Sequence, residues 1–165
     1  MTPLVDISIE ADAWEQLGDL EALVERAVLA AVKVSAVKLH AGAEVSLMLC
    51  DDAAIRVLNR DWRKIDKATN VLSFPGAGQL PRRLMLGDIA IAFETTAAEA
   101  LAEGKSIQNH FTHLVVHGFL HLLGMDHETA AEAEAMEAAE RSVLAELGLP
   151  DPYAGTVPLE AEDWL

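Results

Sequence analysis

The chain has 165 residues, of which 52% are apolar and 5% aromatic, which is enough for one aliphatic core and too few for two ordinary domains. Its net charge of −15 by itself argues against a nucleic-acid partner, because Lys and Arg side chains bind the phosphate backbone. The one cysteine, Cys50, excludes an intramolecular disulfide and is expected in the core. We predict a single domain over residues 1–165, with an acidic, proline-rich tail over residues 150–165.

The predicted elements mix strands and helices along the chain. Apolar alternation and helical periodicity predict strands over 4–10, 44–50, 68–74 and 87–93, and helices over 19–37, from Asp51 or Asp52 to about Arg63, up to about Gly104, over 106–123 and over about 129–147. No helix separates the third strand from the fourth, so part of the pairing is expected to be antiparallel. The prediction is an α+β fold with a single mixed sheet of about four strands packed with helices.

Two segments bear on the location of the protein. The first twelve residues contain three acids and no basic residue, which predicts neither a signal peptide nor an anchor, so we expect the cytoplasm. Residues 106–125 carry no formal charge over a length that could span a bilayer. The same segment contains four histidines, Gln108, Asn109 and Thr112, which are costly in hydrocarbon, so we predict no membrane partner.

Basic residues are concentrated between positions 56 and 83. This segment holds seven of the twelve basic residues against two acids, a local balance of +5; the seven are Arg56, Arg60, Arg63, Lys64, Lys67, Arg82 and Arg83. Such a segment is typical of a phosphate-binding face and equally typical of a solvated helix face. Charge alone leaves both interpretations open.

Three histidines cluster in the segment HGFLHLLGMDH, residues 117–127. On a helix, His117 and His121 are one turn apart and can reach the same ion. His127 joins them only if the chain reverses, and Gly124 stands where a residue with positive φ would end the helix. Three neutral imidazoles leave the fourth position of a zinc ion open, which is the arrangement of a catalytic zinc and not of a structural one.

The same spacing occurs in metzincin proteases, which carry a glutamate after the first histidine as the general base. Here that position is Gly118, so peptidase chemistry would lack its usual proton acceptor. His110 and His113 lie on approximately the same helical face and could either hydrogen-bond to the site or pack in the core. We leave both out of the predicted set of metal ligands.

Beyond these residues, HGFLHLLGMDH resembles the signature of the YbeY family, His-Gly-x-Leu-His-Leu-x-Gly-x-Asp-His, at every specified position. The segments LNRDWRKIDKATNVLSFP and GDIAIAF are similar to two further blocks of that family, in the same order and spacing. The resemblance spans most of residues 44–145. The chain departs from common family residues at Ala68, Asn70 and Met125, and none of these is a predicted metal ligand.

The resemblance implies an α+β fold related to zincins, with a zincin-like metal helix and one Zn²⁺ per chain held by His117, His121 and His127. It also implies that Arg63, which would otherwise be interpreted as a solvated residue at a helix end, is a catalytic cation. The implied activity is that of a single-strand-specific, metal-dependent endoribonuclease, a hydrolase of rRNA processing that matures the 3′ end of the small-subunit rRNA and serves ribosome quality control. The implied partners are rRNA precursors and the small ribosomal subunit with its proteins, and no DNA partner is expected.

Two other functions stay open at this level. A zinc metallopeptidase shares the histidine spacing, and GDIAIAF, residues 87–93, would be an antiparallel edge strand on which a peptide could lie. A ribosome assembly factor without catalytic activity would use zinc only to stabilise the fold. For the endoribonuclease, the sequence does not choose between zinc-bound water and the ribose 2′-OH as nucleophile. Asp126 is either a hydrogen-bond partner of a ligand histidine or a turn former.

Overall fold

The structure, a computed structural model, describes residues 2–154. Its regular elements are, in chain order, β1 Leu4–Ile9, α1 Leu20–Ser35, β2 Glu44–Cys50, α2 Asp52–Arg63, β3 Val71–Pro75, β4 Met85–Ala92, α3 Phe93–Ala102, α4 Ile107–Leu122 and α5 Ala130–Glu146. Two short 3-10 helices, Asp12–Leu17 and Leu80–Arg82, lie in the connections and were not predicted. Of the predicted tail over 150–165, residues 155–165 lie outside the described part of the chain.

Side-chain caps explain why four helices begin where the sequence predicts. Asp19, Asp51, Ser106 and Thr129 each accept a hydrogen bond from the backbone N–H three residues further on. Each bond satisfies an N–H that has no partner within its helix. The third strand differs from its prediction over 68–74, because its partner β4 ends at Ala92, where α3 begins, and pairing therefore starts at Val71.

The four strands form one sheet in the order β1-β2-β4-β3. β1 pairs with β2 and β2 with β4 in parallel, whereas β3 pairs with β4 antiparallel, which confirms the predicted mixed α+β sheet. One expectation is wrong. The segment GDIAIAF, apart from its last residue, belongs to β4, and β4 is not an edge strand, because the chain turns from β3 back toward β2 and β4 pairs on both sides.

The sheet separates a large core from a small one. On one face, α1, α4 and α5 enclose the larger cluster, whose biggest side chains are Trp14, Phe111 and Phe119. On the other face, α2 covers a smaller cluster that includes Cys50 and Ile55. Cys50 is thus a buried core thiol, as predicted. The part of this second face formed by β1 stays exposed.

The uncharged segment over 106–125 is a core helix. Its regular part, α4, is 16 residues long and packs against α1, α5 and the strands β3 and β4. Within residues 2–154, no helix combines the length and the apolar character that crossing a bilayer requires.

Candidate metal centre

Helix α4, which carries His117 and His121 and is called the metal helix below, ends in a reversal that returns the third histidine to the first two. Gly124, just beyond α4, takes a φ of +99°, a value that L side chains rarely adopt. The N–H of Met125 donates to the carbonyl of Leu120 at 3.1 Å, the closing bond of a Schellman-type helix end. Asp126 then accepts a hydrogen bond from the backbone N–H of His127, the third histidine, at 2.8 Å.

The reversal gathers His117, His121 and His127 into one cluster. One ligand nitrogen from each side chain lies within 4.8 Å of the other two, and the ring centroids are 4.7, 4.8 and 5.7 Å apart. Two nitrogens on one zinc ion are at most about 4 Å apart, so the three side chains fit a single ion with only small adjustments. The Nδ1 atom of His127 is buried without a hydrogen-bond partner within residues 2–154, which is unfavourable unless a ligand binds here.

Burial lowers the pKa of two of the clustered imidazoles, those of His117 and His121. Desolvation, together with the neighbouring His117 and His127, lowers the pKa of His121 to about 4. Desolvation also lowers the pKa of His117, although the carboxylate of Glu140 opposes this shift. His117 and His121 are therefore uncharged at pH 7, and neutral imidazole is the form that binds a metal ion.

A buried glutamate on α5 holds the first histidine of the cluster. Glu140 is 1% exposed, and its Oε1 lies 3.0 Å from Nδ1 of His117 and 2.8 Å from Nε2 of His113. The Tyr153 hydroxyl donates to its Oε2 at 2.9 Å. Burial opposes the charge of Glu140, but the two histidines outweigh that cost and lower the pKa of the carboxyl below its usual range. A carboxylate that accepts from Nδ1–H of His117 directs the Nε2 lone pair toward the cluster.

Glu140 and Tyr153 were not found from the sequence. Glu140 lies 23 residues from His117, in an alanine- and glutamate-rich helix where composition does not distinguish it from exposed glutamates. One signal was present: Glu140 shares its helix face with the buried residues Met136 and Val143. An acidic residue on an apolar stripe is rarely buried without a partner.

His110 and His113, whose roles the sequence left open, have different hydrogen-bond partners in the structure. His113 contacts Glu140 and so lies behind the cluster, as a hydrogen-bonding residue. His110 instead pairs with Glu99 on α3, with 2.8 Å between Nε2 and Oε1. Glu99 also accepts from the Asn70 side-chain amide at 3.0 Å. Position 70, where the family often has an aspartate, is thus a hydrogen-bond donor in this protein.

Arg63 lies at the C-terminus of α2, beside the edge strand β3. Its Nη2 donates to the Ser73 carbonyl at 2.9 Å, and its guanidinium carbon lies 5.8 Å from the centre of the Phe74 ring. The Ser73 hydroxyl donates to the Gly118 carbonyl at 3.3 Å, next to His117 in the metal helix. One residue of β3 therefore links the guanidinium to the metal helix. Arg63 is exposed, so its remaining N–H donors are accessible.

Gly118 marks a close approach between the metal helix and the sheet. A Cβ at this position would lie 3.0 Å from Cγ2 of Ile89 and 3.1 Å from Oγ of Ser73. These separations are shorter than ordinary van der Waals contact. A glutamate after His117, which metzincin proteases use as the general base, would therefore require the Ile89 and Ser73 side chains to shift by a few tenths of an ångström.

Arg83 supports the end of the metal helix. Its Nη1 donates to the Leu122 carbonyl at 3.1 Å, and its Nε donates to the Gly78 carbonyl at 3.1 Å. A guanidinium suits the carbonyls that a helix leaves unpaired at its C-terminus. Arg83 is thus engaged with backbone, whereas the neighbouring Arg82 is exposed. The basic segment over 56–83 is therefore not a uniform phosphate-binding face.

Comparison with known proteins agrees with this architecture. The family model described as Endoribonuclease YbeY matches residues 7–148. A protein named Endoribonuclease YbeY from Methylocella silvestris is 54% identical over 93% of this chain and 87% of its own length; one from Beijerinckia indica is 56% identical, covering 96% and 81%. A Thermotoga maritima protein solved in solution shares the fold at a TM-score of 0.55 and 23% identity, covering 95% of this chain and 99% of that one. The chain belongs to the endoribonuclease YbeY family.

Proposed function

We propose that this protein is a metal-dependent endoribonuclease of rRNA processing that cleaves single-stranded RNA. The observation that carries the proposal is the cluster of His117, His121 and His127 at the end of α4. Three neutral imidazoles leave a coordination position for chemistry, whereas a structural zinc site is closed by four protein ligands. The family relationship supports RNA as the substrate, because the relatives are named endoribonucleases.

Zinc is the metal that this donor set suits best, and we propose one ion per chain. When bound, the ion supplies Lewis-acid polarisation of the phosphodiester and can activate a nucleophile. The chain itself orients the ligands: Glu140 holds the ring of His117 through Nδ1. The positive φ of Gly124 turns His127 back toward α4.

Arg63 is proposed as the catalytic cation that contacts the phosphate. Negative charge builds on the non-bridging oxygens during cleavage, and a planar guanidinium can donate to two of them at once. The Ser73 carbonyl takes one donor of Arg63 and so orients the side chain. The Ser73 hydroxyl in turn donates to the Gly118 carbonyl, so the residue that holds Arg63 is itself bonded to α4.

Two observations weigh against the peptidase alternative. The position after His117 is a glycine and not the general-base glutamate, and a Cβ there would crowd the Ile89 and Ser73 side chains. The strand expected to bind a peptide along a free edge, β4, is paired on both sides, so its backbone is not available to another chain.

The finer assignments are part of the same proposal. We assign an rRNA precursor as the substrate, maturation at the 3′ end of the small-subunit rRNA as the reaction, and ribosome quality control as a further role. The small ribosomal subunit and its proteins are the proposed partners, in the cytoplasm. The family match over residues 7–148 supports treating residues 1–165 as one functional domain.

The test combines metal analysis with RNA cleavage by one preparation. We expect about one zinc per chain and cleavage of single-stranded RNA that a chelator abolishes and added zinc restores, with a duplex of the same sequence left intact. His121→Ala should lose zinc and cleavage, whereas His40→Ala, at an exposed histidine outside the cluster, should retain both. Peptide hydrolysis without RNA cleavage, or full RNA cleavage by zinc-free His121→Ala protein, would contradict the proposal.

A further inference from the structure

The sheet face opposite α4 carries a groove that the proposed chemistry does not use. The groove lies between α2 and β1 and has a volume of about 480 Å³. Its walls and floor include Asp6, Ser46, Asp88, Leu58, Trp62 and Phe74. None of these residues belongs to the histidine cluster, which lies at the end of α4 on the other face.

The floor of the groove is a row of hydrogen-bonding side chains. Asp6 is in register with Ser46, and Ser46 with Asp88, on three adjacent strands, so the three lie side by side at about 5 Å intervals. Within residues 2–154, neither the Asp6 nor the Asp88 carboxylate has a hydrogen-bond or ion-pair partner. The row therefore presents acceptors that no neighbouring side chain satisfies.

The wall of the groove is an exposed indole. Trp62 on α2 is 71% exposed, although apolar groups of this size are usually buried. It meets the Phe74 ring edge to face, with 6.3 Å between centroids, so one edge is supported while the ring stays accessible. Arg63 and Lys64 follow it directly at the C-terminus of α2 and are also exposed.

We infer that this groove binds a nucleobase of the single-stranded RNA substrate, stacked on Trp62 with its donor edge toward Asp88 and Asp6. The inference rests on the proposed function, because it takes RNA as the substrate. Sequence-specific binding of single-stranded RNA combines stacking on aromatic rings with hydrogen bonds to base edges. Guanine fits best, since its N1–H and N2–H₂ groups are adjacent donors and a carboxylate accepts two hydrogen bonds.

The position of Arg63 connects this groove to the site of cleavage. β3 is an edge strand, with Phe74 pointing into the groove and the Ser73 hydroxyl bonded to the metal helix on the other face. RNA that passes around β3 can place a base in the groove and a phosphate on the guanidinium of Arg63. The acidic floor repels phosphate, so it selects for insertion of the base and keeps the backbone at the rim.

The charges around the groove favour RNA over a basic peptide. A lysine or arginine side chain could also stack on Trp62 and pair with Asp88. Such a peptide would have to pass the exposed Arg63 and Lys64, which repel it and attract a phosphate backbone. Only a nucleotide uses both features, with its phosphate at the basic rim and its base at the acidic floor.

The test measures affinities of the zinc-loaded protein for 2′-O-methyl RNA pentamers that carry guanosine, inosine or uridine between uridines. Inosine lacks the N2 amino group, so we expect guanosine to bind about five- to tenfold more tightly than inosine or uridine. Trp62→Ala should lower the affinity for the guanosine pentamer about 5- to 100-fold. Trp62→Phe should keep most of that affinity, because a phenyl ring can still stack on the base. Asp88→Asn should abolish the preference for guanosine over inosine.

Matched controls change an exposed residue of the same kind elsewhere. Leu101→Ala removes an apolar side chain that is 84% exposed on α3, and Glu25→Gln removes one negative charge from α1; both should bind all three pentamers like the parent. Thermal melts should show that Trp62→Ala stays folded.

Three outcomes would overturn the assignment of the groove. These are parental affinity of Trp62→Ala for the guanosine pentamer, a guanosine preference that survives both Asp88→Asn and Asp6→Asn, and Trp62-dependent binding of an arginine-rich peptide without binding of the pentamers. Cleavage of a long single-stranded RNA by the parent protein separates the two proposals. If the parent cleaves it and the groove variants bind normally, only the groove assignment fails, whereas loss of all RNA cleavage by the parent removes the proposed function itself.

Discussion

At the scale of single residues, Glu140 holds the imidazole ring of His117 in one orientation. The carboxylate accepts from Nδ1 at 3.0 Å from a position that is almost fully buried. Glu140→Gln keeps the shape of the side chain but removes the charge that polarises the imidazole, so we expect zinc affinity to fall about 10- to 100-fold. Competition with a coloured chelator measures this affinity directly, without reference to RNA cleavage.

Glu134→Gln is the control for this change, because Glu134 lies on the same helix with its side chain exposed. It should bind zinc like the parent protein. Equal zinc affinities for Glu140→Gln and the parent, with both proteins folded, would show that His117 needs no orienting carboxylate.

Arg63 is the second residue-scale prediction. If it contacts the phosphate mainly in the transition state, Arg63→Ala should lower the single-turnover rate on the order of a hundredfold or more, with zinc retained. Arg63→Lys should lower the rate by less, because lysine keeps the positive charge. Some of the rate should still be lost, because lysine lacks the planar fork of the guanidinium. Single-turnover cleavage at saturating enzyme, paired with a thermal melt, is the measurement. Parental rates for Arg63→Ala would return this arginine to the role of a solvated residue at a helix end.

At the scale of elements, the loop before β4 and the end of α4 are joined by one arginine. Arg83 donates to carbonyls of the loop and of the helix end, and hydrogen bonds from a charged group contribute about 1.5–3 kcal/mol each when well formed. Because this side chain is partly exposed, we expect Arg83→Ala to lower the free energy of unfolding by about 1–2 kcal/mol, measured by urea denaturation.

Arg82→Ala is the matched comparison for the loop. Its side chain is exposed, so its removal should change the free energy of unfolding little. If Arg82 contacts a phosphate, the variant should bind RNA more weakly and with a smaller salt dependence. Equal stability of the two variants would mean that the contacts of Arg83 with the helix end are not structurally important.

At the scale of the whole molecule, Cys50 reports whether the face beneath α2 opens. Burial, and then the nearby Asp51, raise the pKa of its thiol to about 12. A raised pKa in the folded state means that the neutral thiol supports the fold below about pH 9, and that this contribution is lost as the pH rises from about 9 to 12. At pH 8 we expect alkylation by iodoacetamide to be on the order of a hundredfold or more slower than in the urea-unfolded chain.

The reference for this measurement is the same protein in urea at the same pH. The alkylation rate of the folded protein should rise as the pH approaches the raised pKa. Rapid alkylation at pH 8 under native conditions would mean that α2 detaches from the sheet far more readily than its packing indicates.

The sequence by itself determined the kinds of elements, their approximate limits and the three clustered histidines. These features depend on interactions over a few residues: a capping side chain three residues before its N–H partner, histidines one helical turn apart, and the tolerance of Gly124 for positive φ. Such local preferences operate in any chain with this sequence, so they can be interpreted without knowing what packs against them.

Only the tertiary structure decided the strand order and the partners of the clustered histidines. β4 was expected at an edge and lies inside the sheet, because the direction of the turn after β3 is a property of packing and not of local pattern. The contact of Glu140 with His117, the clamp of Arg83 on α4 and the groove beside Trp62 join residues far apart in the sequence. Contacts of this kind follow from how the elements dock, which local preference does not encode.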